Sequence, residues 1–105
     1  MERRVMESDE LRATLDQDRL NFLRTELSLS NTLADMAATE MQIGDREAGE
    51  RSMLHGEEGY ATLCRFLKDP KHADHLTADQ LQELNAGAAG LRQKLDDIHR
   101  LHTRR

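Results

Sequence analysis

At 105 residues the chain is sized for one domain, residues 1–105. It is 37% hydrophobic and 33% charged, with two Phe, one Tyr and no Trp, a balance that suits surface-rich helices of Leu, Ala, Met, Glu and Arg. One Val (Val5) and two Ile (Ile43, Ile98) are too few for a sheet, and a net charge of −5 argues against a nucleic-acid face.

The charge is uneven: residues 1–43 hold five Arg against nine acids, and residues 71–105 hold six Lys plus Arg against five. Arg100, Arg104 and Arg105 complement the negative end of the last helix. A single cysteine, Cys64, rules out an internal disulfide and points to a reducing compartment. No apolar leader follows Met1 and no run reaches membrane-spanning length. The chain is therefore expected to be soluble and cytoplasmic, with neither nucleic acid nor membrane as partner. Residues 1–7 are expected to be disordered and residues 103–105 frayed.

The pattern predicts an all-α, three-helix antiparallel bundle with a long first helix, over about 8–43, 45–68 and 77–102. Ser8-Asp9-Glu10 forms a start for the first helix, and Asp16-Gln17-Asp18 marks a place for a kink or a frayed turn. Phe22, Leu29, Leu33, Met36 and Ile43 make one stripe, and Leu23, Leu27, Ala34, Ala37 and Met41 the adjacent one. Together they predict the broad apolar face of a core helix with more than one neighbour. Unbroken, this helix spans about 54 Å against roughly 35–40 Å for the others. Its upstream Leu11, Leu15 and Leu20 then form an exposed strip best buried on another chain, which argues for a homodimer.

Ile43-Gly44-Asp45 is a helix–helix turn, with glycine ending one helix and aspartate capping the next. The second helix carries the stripe Gly49, Met53, Gly56, Tyr60, Leu63 and Leu67. Its small residues at 49 and 56 let another helix approach closely. Lys68 to His75 is a polar loop, because Pro70 disfavours helical geometry at Asp69. The third helix opens with a capping box, Thr77 with Gln80, and a staple, Leu76 with Leu81. Leu81, Leu84, Ala88, Leu91, Leu95 and Ile98 then hold one face for about five turns. Gly87 and Gly90 mark either a close neighbour or a bend.

Leu33, Met36 and Ala37, the run Ile43 to Gly49, then Met53 and Gly56, give residues 30–63 a pattern that resembles a tetratricopeptide-repeat helical hairpin. The resemblance implies small residues (Ala37, Gly49, Gly56) where the two helices meet, the third helix as a closing helix, and a protein-interaction scaffold. Glu40 departs from it, standing where that family usually has a large apolar residue, and no second copy follows.

Chemistry is sparse. His72, Asp74 and His75 cluster before the third helix and are the candidate metal ligands, with His99 and His102 some 36 Å away along that helix. A structural zinc site wants four ligands, usually with Cys, and Cys64 stands alone. The pairs Glu57-Glu58 and Asp96-Asp97 point apart on a helix. No phosphate loop, nucleophile elbow or zinc-protease motif occurs, so no catalytic residue and no cofactor are expected. The sequence thus predicts a non-enzymatic protein–protein interaction or self-association module, with a metal- or small-ligand-binding bundle as the alternative.

Overall fold

In the computed structural model, residues 2–102 are described, with side chains described from Ser8 onward. The expected fraying at 103–105 lies outside the described residues. Helix α1 runs from Glu2 to Gln42 without a break, α2 from Arg46 to Lys68, α3 from Pro70 to Ala73 and α4 from Ala78 to His102. The bundle of long helices is as the periodicity predicts, with two differences. First, α1 begins at Glu2 rather than near Ser8 and continues as helix through Asp16-Gln17-Asp18, with no frayed turn there. Second, the loop expected after Lys68 contains one helical turn. There Asp69 is extended, as the following proline requires. Its carboxylate accepts from the Lys71 N–H at 3.0 Å, and Pro70 takes the first position of α3, where no N–H is needed.

The turns form by the local chemistry read from the residues. Gly44 adopts φ +87°, its N–H donating to the Met41 carbonyl at 3.2 Å while Asp45 N–H donates to Glu40 at 2.8 Å. These are the paired bonds of a Schellman C-cap. Asp45 then caps α2 by accepting from the Ala48 N–H. At α4, Thr77 N–H donates to Gln80 Oε1 at 2.9 Å and Gln80 N–H donates to Thr77 Oγ1 at 3.1 Å. The capping box is complete.

Helix α1 packs on both α2 and α4, which also pack on each other. The core is Leu20, Leu23, Ala34 and Ala37 from α1, Met53 and Leu63 from α2, and Leu84, Leu91, Leu95 and Ile98 from α4. Helices α1 and α2 meet through small residues. A Cβ on Gly56 would lie 3.8 Å from the Ser30 carbonyl and 3.9 Å from the Ala34 nitrogen of α1, as well as 3.1 Å from Leu95 of α4, and one on Gly49 2.9 Å from Met41. One on Gly59 would overlap the buried Ser30 hydroxyl. Of the two α4 glycines, Gly87 faces Leu27 closely and Gly90 has open space.

Ion pairs fix the relative height of the helices. Arg24 donates twice to Glu83, at 2.8 and 2.9 Å, joining α1 to α4. Lys94 reaches Asp35 at 3.0 Å. Arg92 donates two 2.7 Å bonds to Glu57, joining α4 to α2, with its guanidinium 4.9 Å from the centre of the Tyr60 ring. The molecule measures 67 × 21 × 17 Å, because α1 extends well past the end of the bundle.

Candidate functional site

The candidate metal ligands do not converge. His72, on α3, accepts from Arg19 Nε at its Nδ1 (3.2 Å), and its ring lies edge-on to Phe66 at 4.3 Å. His75 points to a different partner, its Nδ1 3.1 Å from Asp16 Oδ1. Asp74 ends α3, its N–H donating to the Pro70 carbonyl. Among the described residues no group of three His, Cys, Asp or Glu side chains is arranged to hold a metal. What these histidines do is join the α2–α4 connection to the place on α1 where the bundle ends, since Asp16 also pairs with Arg19 at 3.1 Å.

At the opposite end, a cavity of about 330 Å³ opens between Met41, Met53, Leu54 and Ile98, with Arg46 and Glu50 beside it. Arg46 is engaged by Glu50 at 3.3 Å and by the His102 carbonyl at 3.3 Å. Between α2 and α4 the Arg92 guanidinium holds the Glu57 carboxyl below the usual carboxylate range. The Tyr60 phenol is pushed up, chiefly by its hydrogen bond with Cys64. Cys64 is half-buried. Among the described residues no helix is long and apolar enough to cross a membrane.

The larger feature is the outer face of α1. Leu11 and Leu15 are exposed, as the overhang argument expects, but Leu20 is not: at 3% exposure it is a core residue. It lies five residues beyond Leu15, about 140° round the helix, on the side that α2 and α4 cover. A second correction is wider. The stripe expected to share the core is mostly exposed: Phe22, Leu29, Met36 and Ile43 show 44% to 74% of their surface, and only Leu33 is half-buried. The physical reason is close approach. Ser30 and Ala34 on α1 face Gly56 and Gly59 on α2, Gly56 also meets Leu95 of α4, and these contacts draw both neighbours onto one sector of α1. The bulkier stripe is left outside.

Leu15, Phe22, Leu29, Met36 and Ile43 are each seven residues apart, and all five are exposed. A repeat of seven is the spacing of a helix seam that meets another helix. The positions three residues on are Asp18, Thr25, Thr32 and Thr39, and Leu11 precedes Leu15 in the same series. Thr32 and Thr39 donate their hydroxyls to the Ser28 and Asp35 carbonyls, both at 3.1 Å, so their polar atoms are satisfied inside α1. A shallow depression lined by Thr32, Asp35, Met36, Thr39 and Glu40 lies on this face. Phe22 has partial cover from Phe66, ring centres 5.4 Å apart. The seven-residue spacing was present in the sequence, where the neighbouring stripe of similar length masked it. In comparisons with known proteins, no family model, no curated protein and no solved structure matches this chain.

Proposed function

We propose that this protein is a non-enzymatic helical interaction module whose working surface is the outer face of α1. Five large apolar side chains at seven-residue spacing, four on α1 and Ile43 in the turn just past its end, each 44% or more exposed, carry the proposal. Exposed apolar patches of that extent on a monomer mark interaction sites. The exposed Leu11 and Leu15 extend the same surface onto the overhang. The likeness of residues 30–63 to a tetratricopeptide hairpin supports the same reading, with Ala37, Gly49 and Gly56 as its helix-packing residues and the scaffold role it implies.

The test is a photo-crosslinking amino acid placed singly at Leu29 in the full chain, produced in cells. A discrete protein adduct is expected from Leu29 and none from Ala86, an exposed α4 residue. Equal background labelling at both positions would refute the proposal.

A further inference from the structure

We infer that the face of α1 is covered by α1 of a second copy of this chain, running antiparallel. The inference rests on the interaction-module reading and names its partner.

Charge sets the orientation. All five arginines of α1 (Arg3, Arg4, Arg12, Arg19, Arg24) precede Thr25, where they nearly offset the six acids of that half (Glu2, Glu7, Asp9, Glu10, Asp16, Asp18), whereas from Thr25 to Ile43 the charged residues are Glu26, Asp35 and Glu40, all acidic. A parallel pair places the wholly acidic half against itself. An antiparallel pair keeps the two wholly acidic halves apart, lays each along a half whose charges nearly cancel, and brings Arg12 near Glu40 of the second copy. Charges flanking a helix seam select partner and orientation in this way.

The seam itself agrees. In a parallel, in-register pair Asp18 would meet Asp18, two like charges at an apolar contact. Run antiparallel, each large residue meets a residue of the second series. Leu11 faces Ile43 of the second copy, Leu15 faces Thr39, Phe22 faces Thr32 and Leu29 faces Thr25. Leu15, Phe22 and Leu29 thus each oppose a threonine, Leu11 and Ile43 oppose each other, and Asp18 falls beside Met36 rather than beside a carboxylate.

Length completes the case. Among the described residues, the most N-terminal α1 side chains with ties to the α2–α4 connection are Asp16 and Arg19, so Leu11 and Leu15 lie beyond it. The antiparallel arrangement sets the Gly44 turn of the second copy, with its 74%-exposed Ile43, against that uncovered segment. From Leu11 to Ile43 the seam is about 48 Å long. That length lets two helices bury surface on the order of the 1,200–2,000 Å² of a stable interface. Helices α2 and α4 pack mainly on the other side of α1, and α2 reaches the edge of the seam where Phe66 meets Phe22.

The test uses the full chain with Cys64→Ser and single spin labels at Thr25→Cys or Thr39→Cys, read by light scattering and pulsed electron resonance. The expected mass is twice the chain's 12.0 kDa. Labels at Thr25 should lie within about 20 Å of each other and labels at Thr39 on the order of 36 Å apart, from the helix rise and interaxial spacing. Leu29→Glu should weaken the dimer at least tenfold while helix content by circular dichroism holds. Short, equal distances at both sites would mean a parallel pair and overturn the inference. A strict monomer whose Leu29 crosslink carries a protein of another mass would also overturn it while leaving the interaction module standing. A monomer without any crosslink would remove both.

Discussion

Six glycines are spread over this small chain, and their surroundings give them opposite expected responses to the same substitution. At Gly44 the φ of +87° is a left-handed conformation, so Gly44→Ala is expected to cost about 1–2 kcal/mol even though the space around it is open. At Gly59 the obstacle is a neighbour. The added methyl would overlap the buried Ser30 hydroxyl, and overpacking of this kind costs roughly 1–3 kcal/mol. Gly90 is helical with nothing within 4 Å, so Gly90→Ala should stabilise by up to about 1 kcal/mol. Urea unfolding of the three variants, read at a common slope, checks both signs and magnitudes. A Gly90→Ala variant less stable than the parent would show that a neighbour does approach that turn.

Among the helices, α4 carries the most local information, and its opening cap is the simplest to perturb. Thr77→Ala removes the acceptor for the Gln80 N–H and should lower stability by about 1 kcal/mol, detectable as a drop in melting temperature. The link between α4 and α2 is expected to respond to acid. Arg92 bonds to Glu57 and holds its carboxyl below the ordinary value, so the folded state binds that proton less readily than the unfolded chain. The stabilisation is complete above the unfolded value of about 4.3. It is lost as pH falls through the lower folded value. The Glu57→Gln variant should therefore lose stability less steeply than the parent between about pH 5 and 3. Parallel acid-unfolding curves for the two would show that the pair does not couple to folding.

Taken as a whole the molecule is a rod. Its radius of gyration is 17.7 Å, whereas a compact chain of this length would have about 13 Å. The excess comes from the N-terminal part of α1, which extends beyond the other helices. A monomeric Leu29→Glu chain should keep this shape in small-angle scattering. A value near 13 Å would mean that α1 folds back on its own bundle, and that Leu11 and Leu15 find cover within one chain. Shape also explains why the exposed face matters: a face about 48 Å long on a rod only 17 to 21 Å across is a large share of its surface.

Much of this architecture was legible in the residues. The Gly44-Asp45 turn, the Thr77–Gln80 box and the α4 stripe ending at Ile98 are set by interactions within a few residues, so local chemistry determines them. Pro70 was informative too, but it opens a one-turn helix as well as ending α2, since a first helical position needs no N–H. The sequence also determined that α1 outruns its neighbours, which follows from counting residues. It did not determine which side of α1 faces inward. Two apolar stripes of equal length compete for the core, and periodicity gives both the same weight. Only the tertiary contacts separate them: Ser30 and Ala34 meet Gly56 and Gly59, Gly56 also meets Leu95, and these contacts bring α2 and α4 onto one sector. That choice buries Leu20, turns Phe22, Leu29, Met36 and Ile43 outward, and pulls His72 and His75 to Arg19 and Asp16 rather than to a shared metal.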